Sequence, residues 1–277
     1  MKLWGVREYY DSFGAREWER LERTHDGALE FAVTTHAIAA RLPPHSLVLD
    51  IGGGPGRYAL WLAGRGHRVR LADLSPVLLE IAECKIAEAG ATHLVEEIAE
   101  ADARDLSRWP DGSFDAALSL GPFYHLPDPA DRDRAASELA RVLRPGAVAF
   151  VALMPRYAFL RRTIALPDER RHLLQPGFLE ALLERGEFHN DVPGRFTGGY
   201  GVRPQEVEPF FAGHGFEKLD LLAVEGILPD LQGELAEMTE EDPKLHRAAL
   251  EVVFGTASDP SILGLSNHLL YVGAKRG

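Results

Sequence analysis

The sequence predicts an α/β protein, with one mostly parallel sheet covered by helices on both faces. Three observations carry this expectation. Between residues 46 and 154, short apolar runs of strand length alternate with longer helical patterns, as strand–helix–strand units do. The first run ends in a glycine-dense turn, Asp50-Ile51-Gly52-Gly53-Gly54-Pro55-Gly56. The second run closes on a lone acidic residue, Asp73, and another, Asp102, follows the third.

Residues 1–42 read as helical, with mixed apolar and charged positions. Pro43-Pro44 closes them, because proline disfavours helix in the residue before it. "SLVLDIG" (46–52) is a continuous apolar run, as expected of a strand buried on both faces. "RYALWLAGRG" (57–66) predicts a helix closing near Gly64 or Gly66. "RVRLAD" (68–73) is the second strand. Ser75-Pro76 has the form of an N-cap followed by proline at the first helical position, and "VLLEIAECKIAEA" continues that helix to Gly90. "LVEEIAEAD" (94–102), "FDAALSL" (114–120) and "AVAFVAL" (147–153) supply strands three to five. The helix "DRDRAASELARVL" (131–143) precedes the fifth, ended by Pro145-Gly146.

After Met154 the pattern changes. Residues 156–186 read as helical and Arg-rich, and 187–203 as a loop with glycines and aromatics. A helix (204–215), a sixth strand (216–226), an acidic helical insertion (227–265) and a final strand (267–275) complete the chain. The two late strands are expected to form an antiparallel hairpin at the sheet edge.

Composition narrows the function classes. A chain of 277 residues, 45% hydrophobic and 26% charged, suits one globular domain with a lid. A net charge of -12 counts against a generic nucleic-acid binder. The densest basic cluster, Arg156, Arg161, Arg162, Arg170 and Arg171, reads as a solvated helix face. Cys84 is the only cysteine, so there is no internal disulfide and no multi-cysteine zinc site, in keeping with a reducing, cytoplasmic setting. In its helix it is expected to pack as a small hydrophobe. The first residues lack the apolar core of a signal peptide, and no stretch approaches the ~20 apolar residues of a membrane span. His36, His172, His214 and His268 show no paired ligand spacing, so no metal is expected.

In an open parallel sheet, a ligand binds beyond the carboxyl ends of the strands, where strand order reverses. The glycine turn stands at that place, and glycine lets main chain approach a ligand closely. The dinucleotide fingerprint G-x-G-x-x-G fails at Arg57 in one register and at Pro55 in the other. No Lys-Ser/Thr pair follows, so it is not a P-loop. What fits is D-x-G-x-G-x-G: Asp50, Gly52, Gly54 and Gly56.

This pattern resembles motif I of class I S-adenosylmethionine-dependent methyltransferases. "EADARDL", "FDAALSLGPFYHLPD" and "RVLRPGAVAFVAL" look like the segments that follow the third strand and flank the fourth and fifth strands in that family. The small-molecule branch, akin to ubiquinone/menaquinone-biosynthesis methyltransferases, is the most similar, and "YYDSFGAREWERL" and "SNHLLYVGAK" look like its ends.

The resemblance implies a Rossmann-like, seven-stranded sheet with the last strand antiparallel. It implies one methyltransferase domain over 1–277, with an N-terminal helical cap (1–42) and a substrate lid formed by the insertions 156–203 and 227–265. It implies S-adenosylmethionine as cofactor, with S-adenosylhomocysteine as product. Gly52, Gly53, Gly54 and Gly56 would let main chain pack on the cofactor, near Asp50. Asp73 would take the ribose hydroxyls, and Leu74 the adenine face. Asp102 would accept from the adenine amino group, while the Ala103 N–H donates to a ring nitrogen. Leu120 or Gly121 would face the ammonium, and Tyr9, Tyr10 and Trp18 would fold over the site. His125, placed at the cofactor's methyl end, is the candidate general base and a further cofactor contact, with Tyr124 orienting the acceptor. His189, Arg195 and Tyr200 are candidates for the acceptor pocket's rim. The expected reaction is in-line methyl transfer to a small-molecule acceptor. The alternatives are an RNA or protein methyltransferase, or a cofactor-binding protein without transfer activity. Monomer and homodimer both stay open.

Overall fold

The computed structural model describes residues 4–192, 195–196, 198–229 and 231–277. Residues 1–3 of the expected cap, 193, 194 and 197 of the glycine-rich loop, and 230 of the late insertion lie outside the described residues.

Three helices come first: α1 (Trp4–Phe13), α2 (Ala15–Arg23) and α3 (His25–Ala39). Five parallel strands follow, β1 (Leu47–Ile51), β2 (Arg68–Asp73), β3 (Val95–Glu100), β4 (Phe114–Ser119) and β5 (Leu143–Pro155). The helices between them are α4 (Arg57–Ala63), α5 (Pro76–Glu88) and α6 (Pro129–Val142). The chain then runs through α7 (Arg156–Ala165), α8 (Phe178–Glu180), a hairpin β6 (Glu187–His189) and β7 (Gly198–Val202), α9 (Pro204–Gly213) and β8 (Phe216–Ala223). Helices α10 (Gln232–Glu241), α11 (Pro243–Thr256) and α12 (Pro260–Leu263) lead to the last strand, β9 (Leu269–Lys275).

The main sheet has the order β3-β2-β1-β4-β5-β9-β8, with β9 antiparallel to both its neighbours. The order reverses between β1 and β4. All five residues of β1 are buried, because both faces of the sheet are covered. Leu47, Leu49 and Ile51 join the core under α6 and α9, and Val48 joins the core under α3, α4 and α5. The period of two thus puts Asp50 on the same side as Val48. Ser75 caps α5 by accepting from the Leu78 N–H at 3.2 Å, with Pro76 at the first position, as the sequence predicts. No helix among the described residues is long and apolar enough to cross a membrane.

Four local expectations need correction. The stretch 187–203 was expected as a loop, yet it carries β6 and β7, and β7 pairs with the end of β5 (Met154 opposite Gly201). Its glycines mark close approach: a Cβ on Gly199 would lie 2.3 Å from the Tyr124 carbonyl oxygen. The helical stretch expected over 156–186 is broken: α7 stops at Ala165, ahead of Pro167, since the residue before proline leaves the helical region, and helical turns resume at Arg170–Leu174, Phe178–Glu180 and Ala181–Arg185. Pro145-Gly146 lies inside β5 instead of ending α6, because strand pairing resumes at once, Phe114 opposite Leu143. Cys84 is exposed, on the outer face of α5.

The Arg-rich segment is not simply a solvated face. Arg156 is buried and binds Glu206 at 2.8 Å, Arg162 binds the fully buried Glu169 at 2.8 Å, and Arg170 donates to the Ile164 carbonyl at 2.7 Å. A small aromatic core, Phe159, Phe178, Phe188 and Phe196, holds the segment together.

Candidate active site

A cavity lies where the strand order reverses, beyond the carboxyl ends of β1 to β4. It encloses about 1010 Å³, counted out to its open mouth. Its floor is the turn after β1, which is tied to the end of β2. The Gly52 and Gly53 N–H groups both donate to the Ala72 carbonyl, at 2.7 and 3.1 Å. Asp73 completes this tie: its Oδ2 accepts from the Gly54 N–H and its Oδ1 from the Ser75 N–H, each at 2.8 Å. Gly54 has φ 53°, the left-handed region that a side chain resists.

The structure brings nearly all the sequence-predicted residues together. Tyr10, Asp50, Gly52, Gly53, Gly54, Asp73, Leu74, Asp102, Ala103, Leu120, Gly121, Tyr124 and His125 all line the cavity. Gly56 does not. It precedes α4 with φ 85°, and a Cβ there would meet Leu71, Ala82 and Ile86 within 3.5 Å, so its smallness serves helix–strand packing. Trp18 also stays out of the lining; it lies under the Arg57 guanidinium, 4.2 Å from ring centre to carbon. Tyr9 lines a neighbouring depression instead. His189, Arg195 and Tyr200 line neither: Arg195 pairs with Asp168, and the Tyr200 ring carries Arg132 at 3.5 Å.

The N-terminal cap roofs the cavity and adds residues that sequence reasoning missed. Glu17 and Arg20 come from α2, and Glu30 from α3. Arg20 donates to Glu17 at 3.0 Å and to Glu30 at 2.6 and 3.2 Å. In the sequence these are three among many charges on amphipathic helices, and nothing in their spacing says that another surface covers them. The cap is anchored by Ser75 donating to Asp11 at 2.5 Å and by Tyr10 bonding to His125 Nε2 at 2.8 Å.

The electrostatics are unusual for a nucleotide site. Five carboxylates, Glu17, Glu30, Asp50, Asp73 and Asp102, line the cavity against two guanidiniums, Arg20 and Arg57. Such a lining repels phosphate and attracts a cation. Asp50 is 1% exposed, and its Oδ2 has no hydrogen-bond partner. Burial, with the Asp73 charge beside it, pushes its carboxyl up to about 7. Burial also pushes Asp73 up to about 6, against the hydrogen bonds it accepts. His125 is buried, its Nδ1 unpartnered, and burial lowers it to about 3, so it is neutral at pH 7. Asp102 is already held by Arg104 at 2.7 Å, and Arg104 also reaches Asp131 at 2.7 Å.

These features define a class: an α/β fold whose reversed sheet carries an acidic, cation-seeking cavity in place of a phosphate cradle. The comparisons agree. A family model described as a methyltransferase domain matches residues 49–151. A ubiquinone biosynthesis O-methyltransferase of Xanthomonas campestris is 33% identical over 176 residues, covering 57% of this chain and 69% of that protein. Methyltransferase GfsG of Streptomyces halstedii is 38% identical over 102 residues, but the match covers 36% of this chain and only 34% of that protein. A solved S-adenosylmethionine-dependent methyltransferase from Methanosarcina mazei shares the fold, with a TM-score of 0.59 at 20% identity over 87% of this chain and 97% of that one.

The chain belongs to the class I S-adenosylmethionine-dependent methyltransferases. The residues present fit that cofactor. The unpartnered Asp50 oxygen and the acidic lining suit a ligand carrying ammonium and sulfonium charges, and Asp73 keeps lone pairs free for hydroxyl donors.

The Asp50 carboxyl gives a pH-dependent prediction. In the unfolded chain it loses its proton near its ordinary ~3.9. In the folded, cofactor-free protein it does so near 7. Between those values the folded state holds a proton that the unfolded state has released, so the group's contribution to stability falls as pH rises. Above pH 7 the folded protein carries the whole cost of an unpartnered buried charge. Asp50→Asn should therefore raise the melting temperature of cofactor-free protein by at least ~3 °C at pH 8, with a smaller gain at pH 5. Equal melting of variant and wild type at both pH values would contradict this.

Proposed function

We propose that the chain transfers the methyl group of S-adenosylmethionine to a small acceptor with a flat apolar body and a hydroxyl or amine nucleophile. One observation carries the reading: the cofactor cavity shares a wall with a second depression. Tyr10, Glu17, Arg20 and Tyr124 line both. The depression adds Tyr9, Phe13, Met154 and Phe196, which suit a planar ring. The similar Xanthomonas protein is named as an O-methyltransferase, which favours oxygen as the nucleophile.

Bound S-adenosylmethionine supplies an already activated methyl group, open to in-line displacement. The chain's task is to hold and align both partners and to exclude water. Asp73 takes the ribose hydroxyls by charge-assisted bonds, and Leu74 packs on the adenine. Asp102 keeps acceptor capacity toward the adenine amino group beside its bonds to Arg104, and the Ala103 N–H meets a ring nitrogen. Asp50 and the main chain at Leu120 and Gly121 face the ammonium. His125 stays neutral and pins Tyr10, and with it the cap, over the site. A nitrogen charged only near pH 3 is a weak base at neutral pH, so a positioning role suits His125 better than proton abstraction. The lid is the insertion 156–203, whose α7 and Phe196 wall the depression, while the helices of 227–265 pack on α3 and β8. The RNA reading has little support, since Arg156, Arg162 and Arg170 are bound to groups of this chain.

The test is native mass spectrometry for one bound S-adenosylmethionine per chain, then labelled methyl transfer into a metabolite extract. Label is expected in hydroxylated aromatic compounds. Label in RNA or protein would replace the small acceptor, and tight binding with no transfer would leave the non-catalytic alternative.

A further inference from the structure

The acceptor depression contains a second histidine with a different environment. His268 lies at the start of β9 and lines the depression, with its ring 6.4 Å from that of Tyr124, which lines both cavities. Its Nδ1 bonds Glu225 Oε1 at 2.9 Å. Glu225 follows β8, is 1% exposed, and its other oxygen accepts from Ser266 Oγ at 2.5 Å and from the Asn267 and His268 N–H groups at 2.8 and 2.9 Å. Those donors and the His268 ring hold the carboxyl below its ordinary range despite burial, so Glu225 is an anion and only accepts. The imidazole must then donate from Nδ1, and in its neutral form the lone pair sits on Nε2. That nitrogen makes no hydrogen bond among the described residues.

Resting on the methyltransferase reading, we infer that His268, oriented by Glu225, is the general base that receives the acceptor's proton. As the acceptor's oxygen or nitrogen gains the methyl group and the carbon–sulfur bond breaks, the sulfonium becomes a neutral thioether and the acceptor's proton passes to His268 Nε2. Glu225 stabilises the imidazolium so formed, and the proton leaves through the depression's open side. The carboxylate–imidazole pair supplies orientation, tautomer and charge together. Other charges face the ring. Glu30 of α3 favours the charged form and Arg20 of α2 opposes it. Glu17, Asp26, Arg161, Arg162 and Tyr124 line the same depression. Burial works against protonation, but Glu225 and Glu30 together outweigh it and hold the imidazole above its ordinary value. This contrasts with His125, whose Nδ1 is buried with no partner at all.

His268→Asn is the informative variant, because its amide can still donate to Glu225 while the free ring nitrogen is gone. Methyl transfer from labelled S-adenosylmethionine to catechol and to 4-hydroxybenzoate is measured against pH for wild type, His268→Asn and Glu225→Gln. Cofactor affinity is measured by calorimetry, and histidine ¹⁵N spectra of the cofactor-free full chain are recorded in parallel. The spectra should show His268 as the Nδ1–H tautomer, titrating above an ordinary imidazole and lower in Glu225→Gln. His268→Asn should lower kcat about 100-fold and remove the acidic limb of the kcat profile, as loss of a general base does. Cofactor affinity should be unchanged. An Nε2–H tautomer, or an unchanged kcat and profile in His268→Asn, overturns the inference alone. Cofactor binding by the wild type with transfer to neither probe overturns the function and this inference with it.

Discussion

Asp73→Ala will weaken S-adenosylmethionine binding about 100-fold, the loss expected when a charged acceptor of two hydroxyls is removed. The effect has two sources. In the proposed binding mode the carboxylate takes the ribose hydroxyls, and in the structure it bridges the Gly54 and Ser75 N–H groups at 2.8 Å each. Without it the glycine turn loses its tie to the second strand's end and the cofactor meets a looser floor. Asp73→Asn keeps one acceptor oxygen and should fall between wild type and alanine. Because the carboxyl of the empty cavity titrates near 6, wild-type affinity should also improve as pH rises from 5 to 7, where the ionised acceptor becomes available. Calorimetry on protein shown to be folded by circular dichroism decides the matter. A dissociation constant within about threefold of wild type for the alanine variant would remove Asp73 from the site.

Arg156→Ala will unfold at markedly lower denaturant, with a loss of about 2–4 kcal/mol, since the hydrogen bonds of a buried guanidinium to main-chain carbonyls and to a half-buried carboxylate are lost. The guanidinium is 6% exposed and uses all its donors at once. It bonds the Gly201 carbonyl at 2.9 Å, the Leu183 and Glu184 carbonyls at 2.9 and 3.2 Å, and both oxygens of Glu206. One side chain thus joins α7, the turn before β6, strand β7 and α9. Its removal takes the guanidinium donor from the Gly201 and Glu184 carbonyls and the charge partner from Glu206, while the Leu183 carbonyl keeps Arg203 and Glu206 keeps the Arg203 N–H and the Tyr200 hydroxyl. Arg156→Lys keeps the charge but not the planar fork, and should recover only part of the loss. Urea unfolding followed by near-UV and far-UV signals would separate global loss from release of the insertion alone. A midpoint equal to wild type would show that this network contributes nothing.

The floor of the cavity was largely legible in the sequence. Asp50, Gly52, Gly54 and Asp73 sit at strand ends, and strand ends are marked by local features: a short apolar run, a glycine, an N-cap with proline. Such features are written within a few residues, so one pass along the chain finds them. The cap and the acceptor side were not legible in this way. Glu17, Arg20 and Glu30 look like ordinary helix charges until α2 and α3 close over the cavity. His125 looked like a base at the methyl end, and only its burial shows that it is held neutral.

The strand–helix alternation, the glycine turn and the acidic residue that faces it could be read from the chain alone, while the reversal of strand order rests on the pairing of β1 with β4, about 68 residues apart. The first three depend on backbone geometry and side-chain period, which are properties of neighbouring residues. Which charges are buried and which groups pair came from the packing of distant segments. Tyr10 meets His125 across 115 positions, Arg156 meets Glu206 across 50, and Glu225 meets His268 across 43. Pairing over such separations leaves no periodic trace, because desolvation and hydrogen bonding are set by what packs against a residue and not by what precedes it.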